Sequence, residues 1–306
     1  MTATSAVPTI KRRGVAGVIS RHPLLSFFGL ANGLSWLAWT PYILSNNGLG
    51  VWDFDFAGQL DGMLPGAYLG PIFSALIVTW IANGRAGLRQ WVGRLWRWKV
   101  NWRWYAIALL GVPASLFVIG LVSSGGQFGA FPVESLAMYI PVLLIQMITT
   151  GLAEEPGWRD FALPRLQARF GPMKSAFILG PLWAVWHFPL FLTEWGGFPD
   201  ADWSRPVFFT LFCIGFNVVM AWIFNRTGQS LPLAMLAHVS VNTFMSIIFF
   251  DIFPAVTEAA AFIVLGVGGM IAGTLVAVLT KGRLGYTAPE VPAETEVTEP
   301  ELVAAR

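Results

Sequence analysis

Long uninterrupted apolar runs, rather than alternating patterns, dominate this chain. Eight can be marked, at residues 24–44, 63–82, 104–122, 136–153, 175–192, 207–224, 231–250 and 259–279. Each holds about 18–21 residues, or about 30 Å of helix, the thickness of a bilayer's hydrocarbon core. None contains Asp, Glu, Lys or Arg. Continuous runs without a period of two predict helices, not the strands of a barrel. The expected fold class is an all-α, polytopic membrane bundle of about eight transmembrane helices.

Composition agrees with the pattern. Of 306 residues, 55% are hydrophobic and only 12% charged, and the mean hydropathy is +0.62. A soluble domain of this length cannot hide so much apolar surface, which excludes a water-soluble enzyme. The net charge of +2 is uninformative, but its distribution is not. With eight crossings, 18 of the 19 Lys and Arg residues fall on one side, and only Arg205 falls on the other. The positive-inside rule then places both termini in the cytoplasm, and the expected location is a bacterial cytoplasmic membrane. Basic residues confined between apolar runs argue for lipid rather than nucleic acid as the partner surface. Cys213 is the single cysteine, so neither a disulfide framework nor a Cys-based zinc site is available.

The chain divides by composition. Residues 1–23 form a basic N-terminal segment, and 24–135 hold the first three spans. Within these, 83–104 is basic and Trp-rich, and the five tryptophans of 91–104 predict an amphipathic helix at the headgroups. Residues 136–250 gather the candidate chemistry, 251–280 hold the last span, and 281–306 read as a disordered acidic cytoplasmic tail. The first run is too long for a signal peptide and lacks a small-x-small cleavage site. Gly66-x-x-x-Gly70 and Gly269-x-x-x-Gly273 are read as ordinary small-residue packing.

Polar residues within such spans are costly and usually face the bundle interior. His238 and Asn242 lie four apart, so a helix stacks them on one face, where both can donate toward one point. That is the inventory of an oxyanion hole. The fourth span is expected to end in Glu154 and Glu155, at the edge of the hydrocarbon. Adjacent helical residues diverge by about 100°, so only one carboxylate can face a given point. The other, Glu155, is spaced to pair with Arg159. His187 is bracketed by Pro181 and Pro189, with Trp183 one turn before it and placed to pack on its ring. Jointly these residues supply a carboxylate base, an imidazole partner and two oxyanion donors, the equipment of acyl-transfer hydrolysis. His22, at the first interface, is read as a headgroup-level residue without a role.

In order, Glu154-Glu155-x-x-x-Arg159, Trp183-x-x-x-His187 and His238-x-x-x-Asn242 resemble the three motifs of the CPBP intramembrane proteases, relatives of CAAX prenyl proteases and of bacteriocin-processing (Abi) proteins. The resemblance covers about residues 138–250. It implies an intramembrane endopeptidase in which Glu154 activates water, His187 assists, and His238 and Asn242 steady the oxyanion. It also implies that Glu155 and Arg159 are an orienting pair. Trp183 stands where the family usually has Phe, keeping an aromatic wall for the substrate pocket. Asp160 stands where many members have Gly. The substrate implied is a membrane-associated or lipidated peptide or protein, prenylated in some members. Oligomeric state is not readable.

No metal or other cofactor is favoured. The alternative is Zn2+ held by Glu154, His187 and His238, a three-ligand set with one open position. No His-Glu-x-x-His pair exists, and the ligands would come from three helices. One geometric tension stands in this reading. Glu154 falls at the end of its expected span, whereas His187 falls about 18 Å into its own and His238 about 10 Å. Their depths coincide only if spans tilt or if the fifth begins deeper. Two other functions compete. One is a non-catalytic partner-binding or immunity protein of the same fold. The other is a proton-relaying transporter, disfavoured because polar residues do not line a path to both faces.

Overall fold

The computed structural model describes residues 13–130, 132–200 and 202–288. The expected disordered tail lies outside them from residue 289 onward, as do the basic residues Lys11 and Arg12. Among the described residues there is no strand, and the helices run α1 (Gly14–Arg21), α2 (Pro23–Leu44), α3 (Gln59–Trp96), α4 (Trp102–Ser123), α5 (Val133–Phe170), α6 (Pro172–Leu192), α7 (Ser204–Arg226), α8 (Leu231–Ile252) and α9 (Glu258–Leu279). The seven from α3 to α9 are long and apolar enough to cross a membrane. With α2, a 22-residue helix diluted by Ser26, Asn32, Ser35 and Thr40, they reproduce the expected set of about eight. The protein is an integral, multi-pass membrane protein.

Two expectations need correction. The fourth span does not end at the glutamates: α5 runs on to Phe170, 38 residues in all. Pro156 removes one helical hydrogen bond, yet the helix continues because its turns widen to π-helix at Met147–Leu152 and again at Pro156–Ala162. Second, residues 91–104 are not an interfacial helix. The chain leaves α3 through a tight turn at Arg94–Trp96, and α4 starts only at Trp102. Buried Trp91 donates its indole N–H to the Pro156 carbonyl at 3.0 Å, so this segment is tied into the bundle. The short helix α1 also precedes the first expected span, with Gly17 and Ile19 buried.

These corrections remove the depth conflict. From Glu154 to Phe170 the helix rises about 24 Å, and from Pro172 to His187 about 22 Å, so the α5–α6 hairpin brings the two residues level. Helix α8 starts well short of the hairpin tip. Its cap Ser230 donates to the Arg97 carbonyl at 2.6 Å, and Arg97 donates to the Gly228 carbonyl at 2.6 Å. Arg94 forms an ion pair with Asp160 and reaches Gln229. The turn before α8 thus sits at the level of Asp160, about one and a half turns beyond Glu155.

Helices α7 and α9 pack along a seam of glycines. A Cβ at Gly273 would lie 2.5 Å from the Gly215 carbonyl oxygen, backbone against backbone. Gly273→Ala is therefore expected to destabilise the protein by about 1–3 kcal/mol, because the two helices must separate to admit the methyl group. A thermal-shift assay in detergent checks this. An unchanged transition would mean that the seam is looser than described.

Candidate functional site

Three residues of regular helix, Ala153–Glu155, lie between the two widened turns of α5 and present both carboxylates to the bundle interior. Glu154 is 5% exposed, and Glu155 and Arg159 are fully buried. The expected divergence of the glutamates is realised. Glu154 turns toward α6, where its Oε2 accepts the indole N–H of Trp183 at 2.9 Å. Glu155 turns toward α8, where its Oε1 lies 2.8 Å from His238 Nδ1. Its Oε2 is 3.3 Å from Arg159 Nε, a charge contact one turn along the same helix rather than an aligned hydrogen bond.

Trp183 joins the set together. Its ring lies 5.2 Å from that of His238 and 5.7 Å from that of His187, both edge-on. The Arg159 guanidinium carbon sits 5.2 Å from its centroid. One indole therefore touches four of the five ionisable members, all but Glu155, and Trp183 is itself 1% exposed. His187 Nδ1 is 2.9 Å from the Trp183 carbonyl oxygen. A carbonyl only accepts, so Nδ1 carries the hydrogen and Nε2 presents its lone pair. By the same logic His238 donates from Nδ1 to the Glu155 carboxylate and turns Nε2 away from it. Asn242 is half-buried one turn beyond His238 on α8, and its side-chain amide makes no hydrogen bond within the described protein.

Every expected site residue thus lies on α5, α6 or α8, and four of them, Glu154, Arg159, His187 and His238, contact Trp183. Among the described residues, no three His, Cys, Asp or Glu side chains are gathered as a metal site. Glu154, His187 and His238 each contact the Trp183 indole. Sequence reasoning missed the enclosure of His187. Trp186 (4.5 Å), Phe209 (4.9 Å) and a stacked Trp195 (5.7 Å) surround its ring. Trp195 comes from the short turn Glu194–Gly196 after α6, and only the fold brings it there. Asp160 is a fully buried anchor for Arg94.

Residues 135–244 match the family model of the type II CAAX prenyl endopeptidases, Rce1-like. The match includes every residue of the site from Glu154 to Asn242. A CAAX prenyl protease 2 of Methanococcus maripaludis is 25% identical over 225 residues, covering 70% of this chain and 80% of that protein.

Proposed function

We propose that this chain is a membrane-embedded peptidase of the CPBP/CAAX protease type that hydrolyses its substrate by a glutamate-activated water without a metal. The observation that carries this reading is the convergence of Glu154, His187 and His238 on one buried indole from three separate helices. Glu154 takes a proton from water as the oxygen attacks the peptide carbonyl carbon. The carbonyl oxygen, now negative, receives hydrogen bonds from His238 and Asn242. That role requires hydrogens on both ring nitrogens of His238, the imidazolium form, with Nδ1 donating to the Glu155 carboxylate and Nε2 to the oxyanion. The intermediate collapses as the C–N bond breaks, and the proton passes to the leaving amine from Glu154 with His187 assisting. Glu155 and Arg159 hold His238 in register, and Trp183 holds Glu154.

The substrate class is a membrane-associated or lipidated peptide, a prenylated C-terminal peptide among them. The basic end of the bundle faces the cytoplasm, with both termini there. Purified protein in nanodiscs, incubated with farnesylated and unmodified peptides, tests the reading. Exhaustive chelation is expected to leave cleavage largely intact. Tightly bound stoichiometric zinc, lost together with activity and restoring it on return, would defeat the metal-free mechanism.

Asn242→Ala is expected to lower turnover by about 10²–10³-fold, the usual worth of one oxyanion donor. Substrate affinity should barely move, because the oxyanion exists only after attack. Single-turnover kinetics beside a binding assay separate the two. A weaker affinity at unchanged turnover would make Asn242 a binding residue.

A further inference from the structure

A second polar site lies near the basic end of the bundle, away from the residues around Trp183. A cleft of about 310 Å³ between α3 and α5 is lined by Thr79, Asn83, Gln90, Trp91, Arg94 and Arg165, among others. Two guanidinium groups share it, and that of Arg94 is ion-paired with the buried Asp160 carboxylate. Arg165 has no carboxylate within ion-pair distance among the described residues. It is held instead by the Phe161 carbonyl at 2.8 Å, by the Phe161 ring at 3.8 Å and by Asn83 Oδ1 at 3.4 Å. These contacts fix the guanidinium at the cleft without neutralising it.

The second observation is Thr79. Many helical hydroxyls in this chain bond back to the carbonyl one turn earlier, as Thr149, Ser175 and Ser240 do, whereas those of buried Ser74, Thr79 and Thr243 have no partner. Thr79 is 2% exposed, lines the cleft, and its Oγ1 has no partner in the protein. A buried hydroxyl without a partner costs about 1–3 kcal/mol, so a ligand atom that bonds it is favoured. Two fixed guanidinium groups and a free hydroxyl in one cleft are the donor set for a phosphate.

We infer that this cleft binds the phosphate of an anionic lipid headgroup. The lipid source is favoured by α3 itself. Phe73, Leu76, Ile77 and Trp80 are exposed on it, and Leu76 and Trp80 lie one turn before Thr79 and Asn83. They offer an acyl chain an apolar track leading away from the cleft. Basic pockets between transmembrane helices are recurrent headgroup sites. The inference is independent of the hydrolytic mechanism, because none of these residues belongs to the proposed catalytic set.

The test uses the full chain in nanodiscs of phosphatidylcholine alone, of phosphatidylcholine with phosphatidylglycerol, and of phosphatidylcholine with inorganic phosphate in the buffer. Native mass spectrometry reads the lipid retained, and a thermal shift reads stabilisation. Phosphatidylglycerol should be retained and raise the transition. Arg165→Gln should weaken retention about tenfold, the scale of one charge-assisted hydrogen bond. Thr79→Val should weaken it several-fold, and keeps the test decisive if Arg165→Gln does not fold. Arg89→Gln, an exposed charge outside the cleft, should change nothing. Stabilisation by inorganic phosphate that both cleft variants abolish would support the same site with a soluble ligand. Retention unaffected by Arg165→Gln and Thr79→Val, or reduced equally by Arg89→Gln, would overturn the inference.

Discussion

Replacing Glu154 with glutamine is expected to slow peptide cleavage by about 10²–10⁴-fold, the contribution of a positioned general base, while the thermal transition stays in place. The substitution suits this site because glutamine keeps a side-chain oxygen to accept the Trp183 indole N–H, now 2.9 Å from Glu154 Oε2. The packing and that hydrogen bond survive, and only the capacity to take a proton from water is lost. Single-turnover kinetics and a thermal-shift assay on the same preparation make the comparison. Cleavage at the parental rate would remove Glu154 as the base and favour the reading of a partner-binding protein without catalysis.

Glu155 one residue later should behave in the opposite way. Glu155→Ala leaves a fully buried guanidinium without its carboxylate and takes the partner from His238 Nδ1. Breaking a buried charge pair from one side costs about 3–5 kcal/mol, so the variant should lose much of its stability together with its activity. Adding Arg159→Met removes the stranded charge and should recover part of the stability without restoring the rate, because His238 still lacks its anchor. Thermal transitions of the single and double variants decide this. A Glu155→Ala protein as stable as the parent would show that the Arg159 contact carries no structural weight.

The fold was largely legible because lipid imposes a simple rule: each apolar run of spanning length becomes a helix. The rule weakens where the chain leaves the hydrocarbon. Nothing in its pattern distinguishes the end of a span at Ala153 from a helix that persists to Phe170. The glutamates read as an exposed boundary, although α5 buries them. The same limit applies to 91–104, where tryptophans among arginines suggest a helix lying on a membrane. Their indole and guanidinium groups instead bond to Pro156, Asp160 and Gly228, more than sixty residues away in sequence. Glu154, His187, His238 and Asn242 could be found because ionisable and amide groups are rare in these spans. The aromatic residues around His187 could not, because Trp195 and Phe209 are two of many aromatic side chains in the chain and only the tertiary path singles them out.

The widened turns of α5 set a constraint on how this sequence can vary in length. Each turn from Met147 to Leu152 and from Pro156 to Ala162 accommodates more backbone than a regular helical turn. One residue more in the first, already widened, would rotate everything beyond it by about 100° relative to the preceding helix and swing Glu154 away from Trp183. One more in the second would leave the glutamates in place but turn Asp160 from Arg94 and Arg165 from the cleft beside α3. Single-residue insertions between Gln146 and Leu163 should therefore be rarer among functional descendants of this chain than substitutions at the same positions. Such length changes should persist only in pairs that restore the phase of the helix.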